Sequence, residues 1–133
     1  MKSARHRAFR VVQPIEPSGI AKEIDIYMDA NNGHVRLVHR LKNTGEWAVE
    51  CAPWALSVMA AGGVVMFPLP PRGSHPDALL PGNRLVIWPY TNMSDPRWTW
   101  GQRFVMLRQQ DAPPQKVGAD VPDGWVAYAR NGH

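Results

Sequence analysis

Apolar residues recur at every second position along short stretches of this chain, and turn-forming residues separate the stretches. Over residues 20–28, isoleucines and a methionine occupy even positions, while acidic residues and a tyrosine occupy odd positions. The Asn31-Asn32-Gly33 turn signal follows, and residues 34–41 alternate in the same way. A period of two is typical of a β-strand with one buried face, whereas a helix needs a period near 3.6. The pattern therefore predicts strands.

Shorter apolar runs farther along the chain predict more strands. The chain has 13 Pro and 11 Gly, which favours many turns, and no segment carries helical periodicity over several turns. Pro53 is expected to bend its strand. We therefore predict an all-β fold, an antiparallel β-sandwich, with a basic N-terminal arm at residues 1–16 and a single domain at residues 17–133. The predicted strands cover residues 20–28, 34–41, 47–59, 64–67, 84–88, 103–108, 115–118 and 125–130.

The composition narrows the expected environment and partners. A single cysteine, Cys51, excludes an internal disulfide and fits a reducing compartment. We find no signal-peptide pattern and no run of about 20 apolar residues, so we expect a soluble, cytoplasmic protein without a membrane partner. The net charge is +4, much of it from Lys2, Arg5, Arg7 and Arg10. We favour a solvated tail there over an anion-binding arm, and we do not expect nucleic acid as a partner.

Aromatic and polar side chains are concentrated in residues 88–101. Sugars present apolar C–H faces that stack on aromatic rings, and hydroxyls that bond to Asp, Asn and Arg side chains. The segment therefore predicts a carbohydrate site, to which the proline-rich loop at residues 68–83 is expected to add a histidine. The competing interpretation is that the tryptophans are core residues and that a local ion pair braces the Asp95-Pro96-Arg97 turn. The predicted sugar-binding residues are Trp88, Tyr90, Asn92, Arg97, Trp98, Trp100 and His75.

Hydrolysis of a glycosidic bond requires two carboxyl groups about 5–9 Å apart across the sugar. Asp95 is the first catalytic candidate, because its aromatic neighbours are expected to raise its pKa. Its partner is expected to be Glu50 or Asp77, and nothing in the sequence selects between them; Glu50 is carried as the second catalytic candidate. The histidines are scattered and Cys51 has no partner at ligand spacing, so we expect no metal and no cofactor. From the residues alone, a catalytic and a purely binding role both stay open.

Several sequence blocks between Pro17 and the C-terminus form a recognisable set. They are residues 46–56 (EWAVECAPWAL), 62–63 (GG), 80–81 (LP), 85–91 (LVIWPYT), 94–97 (SDPR) and 115–118 (QKVG). Together they resemble the central part of a bacterial family of uncharacterised domains with a galactose-mutarotase-like supersandwich fold. The resemblance implies a β-sandwich whose concave sheet faces a sugar, with a glycoside-hydrolase-like or aldose-epimerase-like activity if the domain is an enzyme.

Mutarotases use a histidine and a glutamate as acid and base, and this chain departs from that pattern. Trp54-Ala55-Leu56 stands where the resemblance would place the histidine, and the late glutamate segment has no counterpart. The resemblance therefore supports a sugar ligand more than it supports mutarotase chemistry.

Two other functions remain open beside carbohydrate binding. The first is a structural module whose exposed strand edges pair with a second copy, giving a homo-oligomer. The Asn131-Gly132 hairpin signal has no second strand after it, which favours completion by another molecule. The second is single-stranded nucleic-acid binding through stacked aromatics with Arg97, Arg103 and Arg108, and it is the least favoured.

Overall fold

The computed structural model describes residues 6–132, which form nine β-strands and no helix. Every strand pair is antiparallel, so the predicted all-β, antiparallel class is confirmed. The chain divides into two compact units, residues 1–55 and residues 56–133. No helix able to cross a membrane occurs in the described range. The strands are β1 (His6–Val12), β2 (Ile20–Asp29), β3 (Val35–Asn43), β4 (Val64–Pro68), β5 (Leu85–Ile87), β6 (Trp98–Trp100), β7 (Phe104–Arg108), β8 (Val117–Ala119) and β9 (Ala127–Ala129).

The first unit is a three-stranded sheet with β2 in the centre, flanked by β1 and β3. β2 and β3 follow the predicted alternation. The strand predicted at residues 47–59 is wrong, because no strand lies between Asn43 and Val64. Pro53 cannot donate a ladder hydrogen bond. The third strand of this sheet is instead β1, which pairs with β2.

The basic arm contributes this flanking strand. Residues 6–12 pair along their whole length with β2, from His6 opposite Asp29 to Val12 opposite Glu23. The solvated tail expected for this region is therefore wrong for Arg7 and Arg10, because their backbone lies in a sheet. Lys2 and Arg5 lie outside the described residues.

The two faces of the first sheet differ in polarity. The register places Phe9, Ile26 and Leu37 side by side, with Val11 and Ile24 in the adjoining row of the same face. The isoleucines on the central strand are half-buried, whereas Phe9, Val11 and Leu37 are exposed. This face is therefore apolar and only partly covered.

The opposite face is organised around the buried carboxylate of Asp25. Arg10 Nε donates to Asp25 Oδ1 at 2.6 Å, Arg40 Nη1 donates to Oδ2, and Tyr27 Oη donates to Oδ2 at 3.3 Å. The hydrogen bonds from Arg10 and then Arg40 hold the pKa of Asp25 well below its usual value. Because the two arginines belong to β1 and β3, one carboxylate on β2 ties all three strands together.

The second unit contains a four-stranded sheet in the order β6-β7-β4-β9 and a two-stranded sheet of β5 and β8. Its buried core consists of Phe67, Trp98 and Val105 from the larger sheet. Val117 and Ala119 of β8 pack against these residues from the smaller sheet. Side chains from two sheets thus enclose one apolar core, as in a small sandwich.

The strands predicted for the second unit are confirmed in their order, and two local features differ. Residues 89–102, for which no strand is predicted, contain β6, which pairs with β7 and places Trp98 opposite Leu107. In the continuous apolar run at residues 64–67, only Phe67 is buried and the other three residues are half-buried.

The two residues of the Gly62-Gly63 pair are glycines for different structural reasons. Gly62 has a φ of +89°, a conformation that residues with a Cβ rarely adopt. A Cβ on Gly63 would lie 2.4 Å from Cζ of Tyr128, whose Oη accepts a hydrogen bond from Gly63 N at 2.8 Å. The absence of a side chain at residue 63 therefore allows β9 to approach β4 at its start.

Replacing Val105 by alanine is expected to lower the free energy of unfolding by about 2 kcal/mol, because it leaves a cavity in the centre of the core. Val105 is 1% exposed, whereas Val126 is 61% exposed and serves as the matched control. Val126→Ala should change stability by less than about 0.5 kcal/mol. Urea unfolding followed by tryptophan fluorescence measures both, and equal effects would contradict this description of the core.

Candidate functional site

The aromatic segment at residues 88–101 is braced by an ion pair between Asp95 and Arg97. Arg97 Nε donates to Asp95 Oδ1 at 3.0 Å and Nη2 donates to Oδ2 at 2.8 Å, while the backbone N of Arg97 also donates to Oδ1 at 2.9 Å. Nη2 donates further to the carbonyl oxygen of Pro113. Nε and Nη2 of the guanidinium are thus engaged within the protein, and Arg97 is only 7% exposed, so it offers little surface to a ligand. The local ion pair of the competing interpretation is confirmed. Its other part, that Trp88 and Trp100 are core residues, is wrong, because Trp88 is half-buried and Trp100 is exposed.

The pKa of Asp95 moves in the direction opposite to the expected one. The hydrogen bonds from Arg97, first from its side chain and then from its backbone, lower the pKa of Asp95 from 3.8 to about 2. The expectation that aromatic neighbours raise this pKa is therefore wrong, because the guanidinium outweighs burial. Asp95 stays ionised at neutral pH and cannot donate a proton to a leaving group.

The predicted aromatic platform is only partly open to solvent. Trp98 is buried in the core. Its ring centroid lies 4.9 Å from that of Trp100, whose side chain is exposed. The indole N–H of Trp100 donates to the carbonyl oxygen of Met93 at 3.0 Å. Trp88 is half-buried beneath Lys116, whose Nζ lies 4.3 Å from the ring centroid. Of the four rings, Tyr90 is the most exposed.

The remaining predicted residues do not join this platform. Asn92 Oδ1 accepts from Ser94 N at 3.0 Å, so its side chain closes its own turn. His75 lies in the exposed loop beside the Ser74–Asp77 hydrogen bond. Glu50 lies in exposed chain of the first unit, whereas Asp95 belongs to the second.

A better-formed cleft lies at one end of the four-stranded sheet, and strand register explains it. Pro68 at the end of β4 lies opposite Phe104 at the start of β7. On the other side of β4, Met66 lies opposite Ala127, the first residue of β9. Continuing the same register two residues past this pair brings Trp125 to the level of Pro68. Because side chains alternate along a strand, Phe104 and Pro68 face away from the core that Val105 enters. Two aromatic residues therefore flank one proline on the outer face of the sheet.

This cleft, which we call the Phe104–Trp125 cleft, has a volume of about 530 Å³. The two ring centroids are 6.1 Å apart with planes inclined by 52°. Trp125 is 39% exposed and Phe104 is half-buried, so both rings have a face or edge available. Prolines 68, 70 and 71 form one wall, and the polar side chains along the rim are Arg72, Gln102, Arg103 and Asp123.

Local backbone contacts fix the walls of the cleft. Gly101 N donates to the Phe104 carbonyl oxygen at 3.0 Å, which closes the β6–β7 turn, and Leu69 N donates to the Arg103 carbonyl oxygen at 2.8 Å, which holds the proline wall against that turn. Gly124, with a φ of +68°, donates its N–H to the carbonyl oxygen of Val121 at 2.9 Å and directs the chain into Trp125. The cleft is thus held by turns at its base.

This cleft was not among the predicted sites, although its strands were predicted. Arg103 and Trp125 stand at the beginnings of two predicted strands, far apart in the chain. The available signal was an aromatic residue at each of two strand starts and a proline run at the end of a third strand. Periodicity does not indicate which strands pair with one another, and the site depends on β9 lying beside β4.

A smaller cleft of about 350 Å³ lies on the first unit, beside Tyr27 and Arg36. Two of its charged groups are already engaged, because Arg36 lies 4.3 Å above the Tyr27 ring and Asp29 Oδ1 accepts from Asn31 N at 2.8 Å. Across residues 6–132, no three His, Cys, Asp or Glu side chains are grouped so that they could hold a metal ion.

Comparison of the chain with protein-family models, with curated proteins and with solved structures returned no match. The site is therefore interpreted from its own geometry.

Replacing Asp95 by asparagine is expected to destabilise the second unit at neutral pH, because Arg97 would remain buried without its counter-charge. The carboxyl has a lower pKa when folded, about 2 against 3.8, so its stabilising contribution is complete above about pH 5 and is lost as pH falls towards 2. The difference in urea midpoint between wild type and Asp95→Asn should therefore be largest at pH 7 and shrink steadily below about pH 4.

The matched control is Asp111→Asn, because Asp111 is exposed and forms no ion pair with any described residue. Its midpoint should follow that of wild type at each pH. A gap between wild type and Asp95→Asn that does not change with pH would contradict the role assigned to this ion pair.

Proposed function

We propose that this chain is a carbohydrate-binding domain and that the Phe104–Trp125 cleft holds the sugar. The observation that carries the proposal is the pairing of two accessible aromatic rings, 6.1 Å apart, with polar side chains on the same rim. A sugar needs both kinds of group, because its C–H face stacks on a ring while its hydroxyls seek donors and acceptors. The volume of about 530 Å³ lies within the range of small-molecule sites.

The cleft is a better candidate than the segment at residues 88–101 because its polar groups are available. Asp95 and Arg97 satisfy one another, and Asn92 closes its own turn. By contrast, Gln102 and Asp123 are exposed, and neither side chain has a hydrogen-bond partner in the described part of the chain. Tyr90 and the open margin of Trp100 would then serve as secondary contacts at most.

We propose binding without hydrolysis. A glycosidase uses two carboxyl groups across the bond, and among the described residues Asp123 is the one carboxyl that lines the cleft. The proposed domain would belong to the sugar-recognising class that the galactose-mutarotase-like resemblance implies. A member of that class without an acid–base pair would retain the ligand and lose the chemistry.

Substituting Trp125 by alanine is expected to weaken sugar binding on the order of tenfold, because loss of one stacking ring removes about 1.4 kcal/mol. Isothermal titration calorimetry with the glycans that wild type selects on an array measures this change. The matched control is Trp47→Ala, an exposed tryptophan of the first unit.

Trp125→Phe provides a second variant, because it keeps an aromatic face and should retain most of the affinity. Circular dichroism and the urea midpoint verify that each variant is folded. Unchanged affinity in Trp125→Ala, or an equal loss in Trp47→Ala, would exclude this cleft as the sugar site.

A second candidate function is self-association through the first unit, and the apolar face of its sheet favours it. Phe9, Val11 and Leu37 are exposed on that face, although apolar sheet faces are stable in water only when covered. A second copy could cover it by sheet-on-sheet packing at a spacing of about 10 Å. This candidate differs from edge pairing, since it uses the face and leaves the edges of β1 and β3 free.

Substituting Leu37 by lysine should weaken such a dimer at least about tenfold, because burial of an unpaired ammonium group is strongly unfavourable. Analytical ultracentrifugation over a range of protein concentrations measures the change in dissociation constant. The control is Leu80→Lys in an exposed loop of the second unit, which should leave the dimer intact. A wild-type protein that stays monomeric at the highest concentration would exclude this function.

A further inference from the structure

The charged side chains around the Phe104–Trp125 cleft carry an excess of positive charge. Two guanidinium groups, those of Arg72 and Arg103, line the cleft with one carboxylate, that of Asp123. No ion pair involving these three residues occurs in the described part of the chain. The lining therefore has a net charge of +1 that no protein group neutralises.

This arrangement differs from the way in which the chain treats its other clustered arginines. Arg10 and Arg40 share the carboxylate of Asp25, and Arg97 is paired with Asp95. In those clusters the guanidinium is used for structure. Around the cleft, the donors of the two arginines remain available to a ligand.

Arg103 is the better placed of the two cleft arginines. Its guanidinium carbon lies over the Phe104 ring, 5.4 Å from the ring centroid, so its positive charge is placed at the aromatic wall of the cleft. Its backbone is held in the β6–β7 turn, where its carbonyl oxygen accepts from Leu69 N at 2.8 Å. A ligand stacked on the aromatic pair would therefore meet a guanidinium at the edge of its ring.

We propose, on the basis of the proposed carbohydrate-binding function, that the sugar taken by this cleft is acidic and carries a carboxylate, as a uronic acid does. Arg103 holds the carboxylate through two parallel N–H donors, a geometry that matches the planar guanidinium. Phe104 and Trp125 stack on the sugar ring, and Asp123 accepts hydrogen bonds from hydroxyls. The net charge of +1 on the cleft lining matches the single negative charge that one uronic acid unit carries.

The experiment compares each acidic sugar with a neutral sugar of the same skeleton. Short oligosaccharides of galacturonate, mannuronate and glucuronate are titrated beside their carboxyl-reduced counterparts by calorimetry. We expect at least one acidic oligosaccharide to bind tenfold or more tightly than its reduced counterpart. The preference should diminish as NaCl is raised from 20 to 500 mM, because exposed charges are screened.

Three variants test whether the preference for the acidic sugar depends on the Arg103 side chain. Arg103→Gln should abolish the preference, so that the acidic oligosaccharide and its carboxyl-reduced counterpart bind with equal affinity. Arg103→Lys keeps the charge without the planar fork and should retain part of the preference. Arg84→Gln, which removes an exposed arginine of the second unit outside the cleft lining, should have no effect.

The outcomes separate this inference from the proposed function. If neutral and acidic oligosaccharides bind equally, the acidic ligand is wrong and carbohydrate binding stands. If none binds, carbohydrate binding at this cleft fails as well. Equal binding of a sulfated neutral oligosaccharide and a uronate would overturn the carboxylate assignment, as would an unchanged preference in Arg103→Gln.

Discussion

The second unit depends on the ion pair between Asp95 and Arg97. A guanidinium that is 7% exposed must have a counter-charge and hydrogen-bond acceptors, and Asp95 with the Pro113 carbonyl oxygen supplies both. The pair fixes the turn that leads directly into Trp98, the largest side chain of the core. Residues predicted to bind a ligand therefore act as a structural brace, and the polar groups of that segment form their hydrogen bonds within the protein.

The same principle of matched charge organises the first unit in a different way. There one buried carboxylate, Asp25, receives two arginines from the flanking strands, so the polar face holds the sheet together without an apolar core. The apolar side chains lie on the reverse face, where those of β1 and β3 are exposed and the isoleucines of β2 are half-buried. A sheet that satisfies its charges on one face and exposes aliphatic groups on the other is suited to association through the second face.

The Phe104–Trp125 cleft follows from antiparallel pairing around β4. Because β7 and β9 both run antiparallel to β4, both begin beside its end, with Phe104 opposite Pro68 and Ala127 opposite Met66. Turns are concentrated at that end, and they supply the exposed polar groups Gln102 and Asp123. A rigid sheet with aromatic residues at its rim and polar residues in the adjoining turns is a common way to build a binding surface from a β-fold.

The sequence by itself determined the fold class and most strand positions, because a period of two and frequent turn residues are local signals. The sequence was also sufficient to offer the Asp95–Arg97 ion pair as an interpretation, because residues two positions apart can meet whatever the tertiary structure. Only the tertiary structure decided that β1 rather than residues 47–59 completes the first sheet. Only the tertiary structure placed Trp125 beside Phe104, because this contact depends on which distant strands pair, and alternation along one strand carries no information about its neighbour.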